Sequence, residues 1–137
     1  MLTFPKNLYF HREHTWVRLE DNGLYRVGVD QIFLRDVGGV SKLDLPHEGD
    51  EISQDEVCGS IRGLICRKQL YAPLSGEIVT LNMELYEDLA ILTDDSYGIG
   101  WILLLDSSDF SEEQNNLLFG EEAEVWWTAE LKRRQAQ

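Results

Sequence analysis

The chain has 137 residues, with 43% hydrophobic and 27% charged residues, 25 Asp and Glu against 12 Lys and Arg, and a formal net charge of −13. This composition is that of a globular domain without a transmembrane helix or secretory signal, and its negative charge argues against a nucleic-acid-binding or membrane-surface protein. We therefore expect a single cytoplasmic domain over residues 1–137 that meets protein partners, with Cys58 and Cys66 as reduced thiols.

The first half of the chain predicts a hairpin, a short helix and a further strand. Residues 15–29 have strand character on both sides of a turn at residues 21–23, which read DNG. Asp30 is a suitable N-cap for a helical turn, and Gly38 is a suitable residue to end it. A strand over residues 40–45 follows and stops at a proline, because proline donates no hydrogen bond to a β-ladder.

The second half of the chain predicts another hairpin and two more strands. Residues 56–72 favour a hairpin that closes near Gly63. Alternating polar and apolar residues predict a half-buried strand over residues 77–81, and a short apolar run predicts a buried strand over residues 101–105. Between them, leucines at helical spacing in residues 85–92 predict a short helix.

Residues 108–137 are expected to form a helical C-terminal extension. A first helix is predicted from Ser111 to Leu118, and Gly120 ends it. Beyond the glycine, an apolar stripe at i, i+4 and i+8 consists of Ala123, Trp127 and Leu131. We expect this stripe to pack on a β-rich body and the neighbouring Trp126 to be more exposed.

Five motifs occur in order along this scaffold. They are HTWVR at residues 14–18, VGV at 27–29, LPHEGDE at 45–51, LYAPLSGEIVTLN at 70–82 and YGIGW at 97–101. In this order, and with a helical C-terminus, the chain resembles the H proteins of the glycine cleavage system, members of the lipoyl/biotinyl-carrier group. The resemblance implies a mainly β fold, a barrel-sandwich hybrid of the lipoyl-domain type with short helices and a helical C-terminus.

The resemblance also implies a carrier rather than an enzyme. In H proteins, a hairpin lysine in a motif close to ESVKA holds lipoate through an amide and ferries an aminomethyl group between partner enzymes. Counting back six positions from Tyr71 places that lysine at Ile65. The family's glutamate, serine and flanking alanine fall on Arg62, Gly63 and Cys66. Because isoleucine has no amine, the chain is expected to have a degenerate lipoylation site and no cofactor.

The leading hypothesis is a non-catalytic module that keeps the carrier scaffold, is not lipoylated, and binds a protein through this hairpin or an acidic surface. The expected partner-binding residues are Arg62, Ile65, Arg67 and Lys68. Basic side chains attract an acidic partner, and an exposed apolar residue anchors it. The resemblance indicates enzymes of the glycine cleavage system or of another lipoate-dependent system as partners. A solvated turn that merely tolerates these residues is an equally open alternative.

Two further alternatives remain from the sequence. In the first, the protein is a working lipoyl carrier of the glycine cleavage system, an aminomethyl shuttle with lipoate on Lys68. In the second, Cys66 is a redox-active thiol, since a neighbouring cation such as Arg67 lowers a thiol pKa. We predict no catalytic and no metal site, because HREH at residues 11–14 lacks the HExxH order and no nucleophile with a base is recognisable.

Overall fold

The protein is described by a computed structural model of residues 4–135, so the ends of the expected 1–137 domain and of its 108–137 extension lie outside the described residues. The strands are β1 (Tyr9–Phe10), β2 (Thr15–Leu19), β3 (Tyr25–Val29), β4 (Val40–Asp44), β5 (Glu51–Ile52), β6 (Val57–Gly63), β7 (Arg67–Tyr71), β8 (Gly76–Leu81) and β9 (Leu103–Asp106). The helices are α1 (Gln31–Val37), α2 (Glu84–Glu87), α3 (Ala90–Asp94), α4 (Phe110–Glu113) and α5 (Gly120–Gln135), with a 3-10 turn over Gln114–Asn116.

The strands form two antiparallel sheets. The larger sheet has the order β1-β2-β3-β9-β8-β5, and the smaller has the order β4-β6-β7. A continuous apolar core lies between them and includes Val17, Phe33, Ile61, Leu70, Ile78 and Leu103. The expected mainly β barrel-sandwich architecture, with short helices and a helical C-terminus, is confirmed.

Helix α1 begins and ends where the sequence predicts. The Asp30 carboxylate accepts a hydrogen bond of 2.9 Å from the backbone N–H of Phe33, which caps the helix. Gly38 has a positive φ of 69° and donates its N–H to the carbonyl of Leu34, which ends the helix. The C-terminal end of α1 is thereby fixed beside the hairpin formed by β6 and β7.

The β6–β7 hairpin closes slightly later than the sequence predicts. Its turn residues are Leu64 and Ile65, because the N–H of Gly63 donates to the carbonyl of Cys66 at 2.9 Å. A side chain at Gly63 would collide with the backbone carbonyl oxygen of Val37 in α1. This close approach brings the hairpin and the end of α1 together.

The C-terminal segment differs from the prediction near Leu118. Residues 117 and 118 are not helical: Leu118 exchanges two backbone hydrogen bonds, each of 2.8 Å, with Phe10 of β1. This bridge and the burial of both leucines outweigh the helical propensity of the segment, so the helical turns end at Asn116. Sequence analysis also missed β1 and β5, since two residues are too few to show a strand period.

Helix α5 is held by a second, smaller apolar cluster. Its members are Leu8, Phe10, Trp16, Leu118 and Ala123, with Trp126 packed against them. Trp127 is 3% exposed, which confirms its predicted place in the core, whereas Trp126 is only partly buried and stacks on His14 with ring centroids 4.8 Å apart. The predicted stripe of α5 therefore faces the sheet.

Candidate functional site

The tip of the β6–β7 hairpin, Leu64 and Ile65, is the most exposed apolar feature near the predicted site. Leu64 is 86% exposed and Ile65 is 74% exposed. Their backbone is nevertheless fixed, because the N–H of Leu64 donates to the carbonyl of Gly38 at 2.7 Å and that of Ile65 donates to the carbonyl of Val37 at 2.8 Å. The site thus presents two apolar side chains on an anchored turn.

Glycine at residue 38 is required by this arrangement. A Cβ there would lie 2.6 Å from the Cδ1 atom of Ile65, and its φ of 69° disfavours any other residue. Ile65 therefore lies over the end of α1 while most of its surface stays open. Because its side chain carries no amine, it cannot form the amide that attaches lipoate, so residue 65 does not fit that group.

Lys68 is the nearest amine along the chain, and it is already engaged. Its Nζ atom lies 3.0 Å from the Oδ2 atom of Asp36 and 4.9 Å from the ring centroid of Phe33. The side chain is 24% exposed. Lys68 is therefore held against α1 rather than presented at the apex.

The register of the smaller sheet separates the four predicted partner-binding residues. Residues that pair directly across strands share a face of the sheet. The row that faces the core consists of Leu43, Ile61 and Lys68. The next row, on the outer face, consists of Lys42, Arg62 and Arg67. Arg62 and Arg67 thus share the outer face, Ile65 is at the tip, and Lys68 lies on the opposite face.

Asp36 joins three parts of the fold beside the hairpin. Its carboxylate accepts hydrogen bonds from the Arg134 guanidinium of α5, at 2.7 and 2.8 Å, and from Lys68 of β7. Partial burial alone would raise the pKa of Asp36, but these cationic donors outweigh it and hold the pKa below its ordinary value. The ionised carboxylate consequently ties α5 and the hairpin to α1.

The Asp36 contacts predict an acid-dependent loss of stability. Asp36→Asn is expected to lower the free energy of unfolding by about 1 kcal/mol at neutral pH, because the cationic hydrogen bonds are lost at a partly exposed site. Since the folded-state pKa is lowered, this stabilisation is present above the ordinary value of 3.8 and is lost as the pH falls through the folded-state pKa. Urea unfolding of the wild type and of Asp36→Asn, from neutral pH down through the acid range, measures this difference in stability.

The matched control is Asp21→Asn, which removes an exposed carboxylate from the β2–β3 turn. It should leave the urea midpoint nearly unchanged at every pH. A stability difference between wild type and Asp36→Asn that stays constant into the acid range would contradict the prediction.

His14 is the centre of a buried polar cluster that sequence analysis did not find. It has a φ of 72° and lies just before β2. Its Nδ1 atom is 2.7 Å from the Oδ2 atom of Asp30, and its Nε2 atom is 2.8 Å from the Oε1 atom of Glu130. Trp127 also donates to Asp30, at 3.2 Å. The cluster fastens α5 to the start of α1.

The electrostatics of this cluster agree with a structural role. Partial burial opposes ionisation of Glu130, but hydrogen bonding to His14 and the nearby charge of Arg133 keep the pKa of Glu130 below its ordinary value. The remaining carboxylate oxygens bond to neighbouring parts of the fold: Asp30 accepts from the Phe33 N–H, and Glu130 accepts from Arg133. Within residues 4–135, no group of three or more His, Cys, Asp or Glu side chains is placed to hold a metal ion.

The two cysteines are free thiols in different surroundings. Cys66 is exposed next to the tip, and its Sγ atom donates to the carbonyl of Asp36 at 3.4 Å. Burial raises the pKa of Cys58 to about 11. Cys66 lies opposite Gly63, and Cys58 lies five residues before Gly63 on the same strand. The two cysteines are therefore roughly 16 Å apart along the hairpin, which is too far for a disulfide.

The two sheets and the hairpin turn at one end define a domain of the lipoyl-carrier type. The model of the family described as glycine cleavage H-protein matches residues 8–130. The chain belongs to the glycine cleavage H-protein family. Proteins of this family are carriers without catalytic activity of their own, so the expectation that the chain is not an enzyme is confirmed.

Individual relatives agree with this assignment over most of the chain. The glycine cleavage system H protein of Shewanella denitrificans is 36% identical over 112 residues, which are 82% of this chain and 87% of that protein. The H protein of Anoxybacillus flavithermus is 32% identical over 123 residues, which are 90% of this chain and 95% of that protein. The crystal structure of the H protein from Mycobacterium marinum has a TM-score of 0.71 at 28% identity, covering 77% of this chain and 87% of that one.

No helix within residues 4–135 combines the length and apolarity needed to cross a bilayer.

Proposed function

We propose that this protein is an H-protein-type module that is not lipoylated and that binds a protein partner through its β6–β7 hairpin. The observation that carries the proposal is the tip itself, where residue 65 is 74% exposed and is an isoleucine without an amine. Residues 1–137 would act as one cytoplasmic domain. The partners would be enzymes of the glycine cleavage system or of another lipoate-dependent system.

The geometry of the tip supports a role in binding. Two neighbouring apolar side chains that are mostly open to solvent are candidates for contact with another protein. Their backbone amides are already bonded to the carbonyls of α1, so docking would order little additional backbone. An anchored apolar turn is therefore suited to fill a shallow pocket on a partner.

A second candidate function is supported by the comparisons. The relatives are glycine cleavage system H proteins, and under this alternative the chain would be a lipoyl carrier with the cofactor on Lys68. Amide formation would require the Lys68 amine to leave Asp36, at 3.0 Å, and to reach around the hairpin. The contacts of Lys68 support the first proposal, whereas the family of the relatives supports this one.

Intact mass separates these two functions. The wild-type protein is co-expressed with a lipoyl ligase in medium that contains lipoate, and its mass is measured. We expect the unmodified mass, because no free amine occupies the tip. An H protein that the same ligase is already shown to modify serves as the positive control. A lipoyl group that peptide mapping assigns to Lys68, and that Lys68→Arg abolishes, would overturn the proposal and establish the carrier.

The third alternative, a redox role for Cys66, has little geometric support. The other cysteine, Cys58, is partly buried and too distant along the hairpin to resolve an oxidised Cys66. The Cys66 thiol instead donates a hydrogen bond to the end of α1. A structural thiol therefore accounts for its position.

A further inference from the structure

Three cations lie side by side on the outer face of the smaller sheet. Lys42 of β4 pairs with Arg62 of β6, and Arg62 pairs with Arg67 of β7. All three residues are exposed. We call them the cation row. Like charges directly opposite one another across strands destabilise a sheet, so the row weakens the fold that carries it.

In the part of the chain that the structure describes, the cation row has no ion-pair partner, and Arg67 donates only to the hydroxyl of Ser60, at 3.3 Å. One carboxylate, Asp44, lines the same shallow depression. Five other cations form ion pairs, namely Arg18, Arg26, Lys68, Arg133 and Arg134, whereas Lys6, Arg12, Arg35 and Lys132 form none in the described part of the chain. The row is distinguished by having three such cations side by side. On a chain with a net charge of −13, the row is thus a local positive surface.

The spacing of the row indicates the shape of what it would bind. Neighbouring strands are about 4.8 Å apart, so the three positions span roughly 10 Å. Acidic residues at i, i+4 and i+7 of a helix have successive Cβ atoms about 5–6 Å apart, and together they span about 10.5 Å along the helix axis. Three residues on one face of an extended strand would span about 13 Å. The row therefore matches an acidic stripe on a helix better than an extended acidic segment.

We propose that the cation row docks an acidic helix of a partner protein, with the exposed tip contacting an apolar residue of the same helix. The inference rests on the proposed function and adds the chemical class of the partner. Leu64 and Ile65 are each two residues from a member of the row, Arg62 and Arg67 respectively, at the end of the strands that carry them. Nucleic acid is disfavoured because the remainder of the chain is strongly negative.

The test uses a synthetic helical peptide with glutamates at i, i+4 and i+7 and one leucine on the same face. It is titrated into the full-length, 15N-labelled protein, and amide shifts are followed by NMR. We expect shifts at the cation row and at the tip. The triple variant Lys42→Gln/Arg62→Gln/Arg67→Gln should weaken binding by about tenfold or more, and added salt should weaken binding to the wild type.

Matched controls separate this site from general attraction of negative charge. The variant Lys6→Gln/Arg35→Gln/Lys132→Gln removes three exposed cations that lie elsewhere and should bind like wild type. A peptide of the same composition, with its glutamates spread around the helix, should bind more weakly. Equal binding to the two triple variants, equal binding of the two peptides, or tighter binding of a short DNA duplex at the same amides would each overturn the inference.

This test is independent of the lipoylation experiment. A lipoyl group on the wild-type protein would refute the proposed function, yet the peptide titration would still report on the row. Conversely, an unmodified wild-type protein that shows no preference for the acidic helix would leave the proposed function in place and refute the docking surface.

Discussion

Ile65→Lys is expected to create a lipoylation site, so that a lipoyl ligase modifies residue 65. Residue 65 is 74% exposed on an anchored turn, so a lysine there would extend into solvent with its amine free. The fold should tolerate the change, because the aliphatic stem of lysine can lie over Gly38 as the isoleucine does. Intact mass and peptide mapping after co-expression with the ligase measure the outcome.

The control for this variant is Leu64→Lys, which places an amine one residue away on the same turn. If the ligase recognises the geometry of the tip, it should modify Ile65→Lys and leave Leu64→Lys largely unmodified. Refusal of both variants by a ligase that modifies a lysine-bearing relative would show that more of the hairpin than residue 65 has diverged.

Asp30→Ala is expected to lower the free energy of unfolding by about 3–5 kcal/mol, since it leaves three buried hydrogen-bonding groups without their shared acceptor. The Asp30 carboxylate is fully buried, and it accepts hydrogen bonds from the Phe33 N–H, His14 and Trp127. Removing it would uncap α1 and release α5 in one step. For a domain whose total stability is about 5–15 kcal/mol, this is a large fraction.

Urea unfolding followed by tryptophan fluorescence measures the Asp30→Ala effect, because Trp127 reports directly on the packing of α5. Asp30→Asn should lose less, since its amide oxygen still accepts one hydrogen bond. The exposed Asp21→Ala serves as the control and should shift the stability little. A loss below about 1 kcal/mol in Asp30→Ala would show that the buried cluster is not what holds α5.

Local signals were enough to predict much of this fold. Asp30 and Gly38 bracket α1 as capping rules require, and the stripe of α5 places Trp127 in the core. That Ile65 stands where the family has its lipoyl lysine follows only from the resemblance, by counting back from Tyr71, and stays a prediction. These features depend on residues near one another in the chain or on motifs long enough to be distinctive.

Features that join distant parts of the chain were not predicted. His14 and Glu130 are 116 residues apart, and no local pattern connects them. The cation row was missed because Lys42 reaches Arg62 only after a shift of register between Val40 and Lys42. An irregularity of this kind changes which side chains share a face, and strand alternation read from the sequence does not reveal it.

The hydrogen bonds that join the tip to α1 also affect how the turn fluctuates. The amides of an ordinary hairpin turn exchange with solvent readily, whereas those of Leu64 and Ile65 are bonded to carbonyls of Gly38 and Val37. Opening of the turn is therefore linked to fraying of the last turn of α1. A partner bound to the hairpin would slow both events together. Hydrogen exchange at the C-terminal end of α1 would therefore report whether the hairpin tip is occupied.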